Sequence, residues 1–233
     1  MIQIGQFKSM ELEDFQQSMD IMYWGVLYPI LAVLPEMRER QSGRIAVVSS
    51  IGGKVSVPRL LPYNAAKFAA AGLAEGLRAE LADEGITVTH IVPGLTRTGS
   101  YLNAYYSGDN KGREAQYKVF GPLSSLPLVT GSTEQAARAY VRAIRRGDAE
   151  VLYPPIYNLL SRIHGMAPAT TTWAMGLADR LLPESGEGDE TVRGREIDEH
   201  VNSRAFGVAT KLGRDASHEY RQHPGPTSVP DPD

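Results

Sequence analysis

The chain has 233 residues and a mass of 25.4 kDa, a size that predicts one hydrophobic core with attachments. The net charge of −3 gives no reason to expect nucleic acid or an anionic membrane as the main partner, and the absence of cysteine excludes disulfides and thiolate metal sites. The histidines have no metal-ligand spacing, the N-terminus lacks a secretory-signal layout, and the apolar run 21–33 is too short for a membrane span. We therefore expect a soluble cytoplasmic protein without a metal.

Helix and strand patterns alternate through the first two thirds of the chain. The predicted elements are, in order, a helix over 11–40, a strand over 44–48, a helix over 63–84, a strand over 86–92, a helix from the capping box 132–135 to Gly147, and a strand over 149–153. We expect Pro29 to kink the first helix and Gly85 to end the second in the left-handed conformation. The alternation predicts an α/β fold built around a parallel sheet.

The pattern weakens after Tyr153. Residues 156–182 form an amphipathic stretch that contains methionine and tryptophan, and residues 223–233 contain four prolines. We therefore divide the chain into three segments. These are an α/β domain over 1–155, a helical C-terminal extension over 156–221 that could act as a substrate lid, and a disordered tail over 222–233.

Tyr63 and Lys67 are four residues apart in the sequence Tyr-Asn-Ala-Ala-Lys. On a helix this spacing places the phenol and the ammonium one turn apart on the same face. A nearby cation stabilises phenolate and lowers a tyrosine pKa, which suits proton transfer to or from a carbonyl or alcohol oxygen. Taken alone, the pair is more typical of an exposed helix surface than of a catalytic site.

Two neighbouring strand ends supply context for this pair. Ser50 follows the strand over 44–48, and Pro93, Gly94 and Thr98 follow the strand over 86–92. The carboxyl ends of parallel strands are where α/β sheets place their ligands, and a hydroxyl there can hold a substrate oxygen. Each feature alone would be read as an ordinary turn.

Together these segments resemble the classical short-chain dehydrogenase/reductase family. The segments are 43–53 with its Ser-Ser-Ile-Gly-Gly end, 63–67 with its Tyr-x-x-x-Lys motif, and 88–98 with its Pro-Gly turn. Their order and spacing match the family closely over residues 9–100, and the likeness extends to about residue 153. The resemblance implies the C-terminal part of a Rossmann-like, doubly wound parallel sheet, so the segment 1–155 would be a partial catalytic domain.

The resemblance also implies an oxidoreductase that uses NAD or NADP on an alcohol or carbonyl substrate. By that resemblance Ser50 orients the substrate oxygen, Tyr63 is the acid/base, and Lys67 lowers the tyrosine pKa and binds the nicotinamide ribose. Tyr63, Lys67, Pro93, Gly94 and Thr98 would contact the cofactor. We also expect a homodimer formed through the helices over 11–40 and 63–84.

Residues 99–125 fall where the family has a mobile substrate loop, and they are rich in aromatic side chains. These are Tyr101, Tyr105, Tyr106, Tyr117 and Phe120. An aromatic lining would suit an apolar substrate. The alternative, that these rings pack the loop onto its own domain, is equally consistent with the sequence.

The chain departs from the family pattern at two places. Met22 occupies the position of the family's catalytic asparagine, three residues before Gly25, and a thioether cannot hold the proton-relay water. The glycine-rich phosphate turn, and the residue that selects NAD or NADP, do not occur before Ser50. About 90 residues, or three βαβ units, would supply them, so we expect a chain without its N-terminal cofactor half, with impaired activity.

Two other functions compete with the dehydrogenase. The runner-up is a non-catalytic, family-derived protein that works as a binding or dimerisation module through the long helices. A hydrolase that uses Ser50 is disfavoured, because no histidine is near it in sequence and the Gly-x-Ser-x-Gly elbow does not occur.

Overall fold

A computed structural model describes residues 1–127, 129–201 and 203–222. The α-helices are α1 (Leu12–Met19), α2 (Gly25–Glu39), α3 (Leu61–Glu80), α4 (Ser100–Asn103), α5 (Asn110–Leu123), α6 (Thr133–Arg146), α7 (Ile156–Met166), α8 (Pro168–Asp179), α9 (Gly194–Asp198) and α10 (Arg204–Glu219). The strands are β1 (Gln3–Ile4), β2 (Gly43–Val48), β3 (Ile86–Pro93), β4 (Tyr105–Ser107), β5 (Glu150–Tyr153) and β6 (Thr191–Arg193). Most of the tail predicted over 222–233 lies outside the described residues.

The main sheet has three parallel strands in the order β2-β3-β5, which confirms the predicted α/β fold. The register places Val48 opposite Ile91 and His90 opposite Glu150, so β2 and β3 end side by side. Helices α2 and α3 cover one face of this sheet. Its core consists of Ile30, Leu34, Ile45, Val47, Ala70, Ala74, Leu81, Ile86 and Val88.

The capping signals in the sequence correspond to real helix ends. Ser132 caps α6, and its side chain accepts a hydrogen bond from the amide of Gln135 at 3.2 Å. Gly85 and Gly147 both have left-handed backbones, with φ of 68° and 72°. In the helix predicted over 11–40, a π-helical turn over residues 20–24 joins α1 to α2, and Pro29 lies inside α2.

Strand β2 differs from the fully buried strand that its β-branched residues predicted. Ile45 and Val47 are buried, whereas Arg44, Ala46 and Val48 on the other face are exposed. Among the described strands β2 pairs with β3 alone. Helix α6 contacts β3 and β5 more extensively than β2, so β2 is only partly covered on this face, whereas parallel strands are normally buried on both faces.

A second, small sheet joins distant parts of the chain. Strand β1 pairs in parallel with β4, and β4 pairs antiparallel with β6. Around it is a separate aromatic core that includes three tyrosines of the 99–125 segment, each 0% exposed. They are Tyr101, Tyr106 and Tyr117. For these rings the packing alternative is correct.

Within the part of the chain that the structure describes, one helical stretch, Leu12–Glu39, is long and apolar enough to cross a membrane by length and composition alone. Core helices of soluble proteins pass the same test. In this chain Ile30 and Leu34 of that stretch pack into the core of the main sheet. The stretch therefore takes part in the fold of the α/β domain.

Candidate active site

The residues that the sequence predicted for the site all line one cavity of about 790 Å³. They are Ser50, Tyr63, Lys67, Pro93, Gly94 and Thr98. Strands β2 and β3 end side by side, so the residues that follow them face the same space as the first turns of α3. The fold therefore brings together three segments that are up to 48 residues apart in sequence.

Ser50 begins a tight 3₁₀ turn, Ile51–Gly53, which packs against α3. Its Oγ accepts a hydrogen bond from the amide of Gly52 at 3.1 Å. A side chain on Gly53 would clash with the carbonyl group of Lys67, so the Ile-Gly-Gly sequence allows the turn to approach the helix closely. This packing holds the Ser50 hydroxyl within hydrogen-bond reach of Tyr63.

Burial dominates the electrostatics of Tyr63 and Lys67. Burial raises the pKa of Tyr63, and its hydrogen bond with Ser50 offsets part of that increase. Burial also lowers the pKa of Lys67. The Lys67 ammonium donates to the carbonyl oxygen of Val48 at 3.1 Å and lies 5.9 Å from the centre of the Tyr63 ring. The lysine therefore does not bring the pKa of Tyr63 below its ordinary value in this arrangement, and Tyr63 carries its proton near neutral pH.

Met22 lies in the wall of the same cavity and is only 4% exposed. The π-helical turn places this side chain among the cavity residues rather than at the surface. A thioether is a weak hydrogen-bond acceptor and offers no donor, so it cannot orient a relay water as an asparagine amide does. The departure noted in the sequence therefore lies at the site itself.

The turn after β3 is held against a tyrosine that the sequence analysis missed. The Gly94 amide donates to the carbonyl oxygen of Tyr153 at 2.8 Å, and a side chain on Gly94 would clash with the ring of Tyr157. Tyr157 also lines the cavity, and its hydroxyl donates to the carbonyl oxygen of Val129 at 3.0 Å. Local sequence patterns do not reveal such a contact, because Tyr157 is more than 60 residues beyond the Pro-Gly turn.

A second missed feature is a buried polar network beside Ser50. Ser49 Oγ lies 2.5 Å from His90 Nε2, and His90 Nδ1 lies 3.1 Å from Glu150 Oε2. The Lys54 ammonium lies 2.6 Å from the carboxylates of both Glu150 and Glu75. Ligand atoms of Glu75, His90 and Glu150 lie within 4.8 Å of one another, but the lysine already supplies the positive charge between the two carboxylates.

The rest of the cavity wall is mainly apolar. Side chains from β1, α5, α7, α8 and the connecting segments contribute to it. They include Ile2, Ile4, Leu95, Val119, Phe120, Leu123, Leu160, Met175 and Leu182. Of the aromatic residues predicted over 99–125, Phe120 is the one that contacts this space. Such a wall suits an apolar ligand with one polar group at the Ser50–Tyr63 end.

The residues present fit the nicotinamide end of a dinucleotide better than its phosphates. Lys67, Tyr63 and the Pro93–Gly94 turn offer polar groups in a mainly apolar cavity. In the described residues before Ser50, the turn between β1 and the next helix contains one glycine, Gly5, and an added Cβ there would approach Ser107. A glycine-rich turn at a helix N-terminus, which binds pyrophosphate in Rossmann folds, is not found in that part of the chain.

Comparison with known proteins agrees with this geometry. The family described as short chain dehydrogenase matches residues 1–105. The chain is 32% identical over 168 residues to 3-dehydrosphinganine reductase from Danio rerio, a match that covers 72% of this chain and 48% of that protein. It is 34% identical over 165 residues to 11-beta-hydroxysteroid dehydrogenase B from Arachis hypogaea, covering 70% and 44%. The chain spans about half the length of these relatives.

Solved structures show the same fold. A short-chain dehydrogenase from Streptomyces avermitilis superposes with a TM-score of 0.62 at 26% identity, covering 77% of this chain and 66% of that one. A short chain dehydrogenase from Burkholderia cenocepacia, solved in complex with NADP, superposes with a TM-score of 0.54 at 21% identity, covering 71% and 60%. The likeness extends well beyond the three strands of the main sheet.

Proposed function

Because the chain belongs to the short-chain dehydrogenase/reductase family, we propose that it contributes the catalytic residues of an NAD(P)-dependent oxidoreductase that interconverts an alcohol and a carbonyl compound. The observation that carries this proposal is the convergence of Ser50, Tyr63 and Lys67 in one apolar cavity. NAD(P), when bound, supplies or accepts the hydride. Lys67 and the Pro93–Gly94 turn with Thr98 would hold its nicotinamide end, as the resemblance implies.

The three side chains divide the proton chemistry between them. The Ser50 hydroxyl can donate a hydrogen bond to a carbonyl oxygen in the cavity and favour the negative charge that develops there. Tyr63 keeps its proton near neutral pH because burial raises its pKa, so it is prepared to donate that proton to the same oxygen. In the reverse direction the phenolate must accept a proton, and the cation of Lys67 in the cavity wall would stabilise it.

The cavity wall supports an apolar substrate. Leucine, isoleucine, valine, methionine and phenylalanine side chains surround the space next to Ser50 and Tyr63, so a hydrocarbon body would be shielded from water there. Two relatives are named for 3-dehydrosphinganine and for an 11-beta-hydroxysteroid. We propose a hydrophobic ketone or secondary alcohol as the substrate class.

The test is Tyr63→Phe in the natural polypeptide that contains these residues, assayed by NADH or NADPH oxidation with hydrophobic ketones. We expect hydride transfer to fall to background while cofactor affinity stays nearly unchanged, because the phenol oxygen carries the transferred proton. Tyr28→Phe is the matched control, because Tyr28 is 61% exposed on α2 and lies outside the cavity. Comparable turnover in Tyr63→Phe and wild type would contradict the assignment.

The second candidate, a non-catalytic binding module derived from the family, is favoured by Met22. This residue fills a position at the cavity where the family has its relay asparagine. Met22→Asn distinguishes the two functions. An oxidoreductase with an incomplete relay should gain turnover from the amide, whereas a binding module should show no turnover in either form.

A further inference from the structure

Helices α7 and α8 form a hairpin beside the cavity. Ala167 alone separates the two helices, and His164 Nδ1 lies 2.6 Å from Thr171 Oγ1 across the bend. The inner side of the hairpin faces the cavity through Tyr157, Leu160 and Met175. A substrate that enters from this side therefore has to pass these two helices.

The outer side of the same hairpin is apolar and uncovered. Its exposed side chains recur at intervals of three or four residues, so each helix presents one continuous stripe. The stripes consist of Ile156, Leu159, Ile163 and Met166 on α7, and Trp173, Leu177 and Leu181 on and after α8. Three of these are among the most exposed large apolar side chains of the described residues, with Met166 at 85%, Leu181 at 84% and Trp173 at 70%. We call this set the hairpin patch. Exposed apolar stripes of this kind mark an interaction surface.

The charged side chains of the hairpin that have no ion-pair partner among the described residues are positive. Between residues 155 and 183 the charged side chains are Arg162, Asp179 and Arg180. The Asp179 carboxylate is bound by Arg59, which is 7% exposed. Neither Arg162 nor Arg180 has an ion-pair partner among the described residues. Acidic side chains resume at Glu184, beyond the patch.

We propose that the hairpin patch docks this protein on the surface of a lipid bilayer that contains anionic lipids. The apolar stripes would lie at the boundary between headgroups and acyl chains, with Trp173 at that depth and the two arginines at the phosphates. The same two helices would touch the bilayer through the hairpin patch and the cavity through other side chains, so an apolar substrate could move between bilayer and cavity along the hairpin. This last step rests on the proposed substrate class, whereas the docking itself does not.

Charge favours a bilayer over a second copy of the chain as the occupant of the patch. A two-fold contact would bring Arg162 and Arg180 of both copies to one interface, and the two helices offer no free carboxylate to neutralise them. An anionic bilayer provides phosphates at the edge of the apolar layer. The arrangement therefore matches the two kinds of contact that an interfacial helix makes with lipid.

The experiment is flotation of the natural polypeptide with vesicles of phosphatidylcholine alone, and with vesicles that also contain phosphatidylserine. We expect binding to both, and stronger binding to the anionic vesicles. The double variant Met166→Gln/Leu181→Gln should weaken binding by about tenfold or more, because two apolar side chains leave the lipid. Both positions are exposed, so the fold should persist. Val208→Gln on α10, 75% exposed and outside the hairpin, is the matched control and should bind like wild type.

In the 233-residue chain Trp173 gives an independent readout, because Trp24 is the only other tryptophan of these residues. In a Trp24→Phe background, vesicles should shift the Trp173 emission to the blue, and brominated lipid should quench it. Unchanged emission, or equal flotation of the double variant and wild type, would overturn the proposal. Concentration-dependent self-association that the double variant abolishes, without vesicle binding, would identify a second copy as the occupant instead. These readouts need no turnover, so their failure is distinct from failure of the proposed oxidoreductase activity.

Discussion

At the scale of single residues, the site depends on how Ser50 is held. Its Oγ is fixed by the Gly52 amide at 3.1 Å and is hydrogen-bonded to Tyr63, so its position is set before a substrate arrives. Preorganised donors of this kind contribute to catalysis because they need no rearrangement as charge develops. We therefore expect Ser50 to act on the transition state more than on substrate binding.

Ser50→Ala should raise the barrier for hydride transfer by about 2–4 kcal/mol, the usual cost of losing one oxyanion-type donor. The measurement is kcat and KM of the natural polypeptide with a hydrophobic ketone. Most of the loss should appear in kcat. Ser49→Ala is the control for loss of a buried hydroxyl, because Ser49 bonds to His90 instead of Tyr63, and it should lower stability more than turnover. A Ser50→Ala enzyme with normal kcat would contradict the proposed role.

Glu150 should make folding stability depend on pH in acid. The hydrogen bond from His90 and the contact with Lys54 lower its pKa from 4.5 to about 2. A carboxylate with a lowered pKa in the folded state stabilises that state above pH 4.5, and this contribution is lost as the pH falls from 4.5 towards 2.

Glu150→Gln should therefore be less stable than wild type at pH 6, by about 1–2 kcal/mol after allowance for solvent screening of a partly exposed side chain. Between pH 4.5 and 3 its stability should change less than that of wild type. Urea unfolding at pH 6, 4.5 and 3 measures both effects. Glu36→Gln, a highly exposed partner of Arg40, is the control. If the free energy of unfolding changed with pH by the same amount in wild type and in Glu150→Gln, the His90 contact would not hold the carboxylate in solution.

At the scale of elements, the sequence predicted those strands, helix ends and turns that depend on neighbouring residues. The β-branched runs, the Ser132 cap and the left-handed glycines each depend on neighbouring residues, and the structure confirms them. The small sheet of β1, β4 and β6 was missed, because its strands have two or three residues and pair across as many as 102 positions. The Ser49–His90–Glu150 network was missed for a similar reason, since it arises from the register of three strands.

The long helices also expose apolar side chains away from the main core. The most exposed on α2 and the turn before it are Ile21, Tyr28 and Leu31, and Phe68 is exposed on α3. Dimerisation through these helices stays a prediction that this surface supports. Leu31→Glu should weaken self-association without unfolding the protein, because Leu31 is 55% exposed. Analytical ultracentrifugation at micromolar concentrations measures this, with Val141→Glu on α6 as the control. A wild-type monomer at these concentrations would contradict the prediction.

At the scale of the whole molecule, the two ends of the proposed cofactor site differ in the binding groups that the described residues supply. The nicotinamide end has Tyr63, Lys67 and the turn after β3, all around one cavity. In the described residues before Ser50, the groups that normally bind pyrophosphate are not found, and β2 has an edge that no described strand pairs. Exposed edges of this kind attract further strands, so the isolated 233-residue chain should also tend to associate through β2.

The isolated 233-residue chain should consequently bind NADH and NADPH weakly, with dissociation constants above about 0.1 mM. Backbone amides at a glycine-rich helix N-terminus supply much of dinucleotide affinity, and contacts at the nicotinamide end alone cannot replace them. Isothermal titration of the 233-residue chain with each cofactor measures this directly. Lys67→Gln should remove the remaining binding of NADH and NADPH, because Lys67 is the cation of the nicotinamide end. Lys211→Gln on α10 is the control. Micromolar binding by the wild-type chain would show that other residues provide the phosphate contacts, and the expectation of impaired cofactor binding would then be wrong.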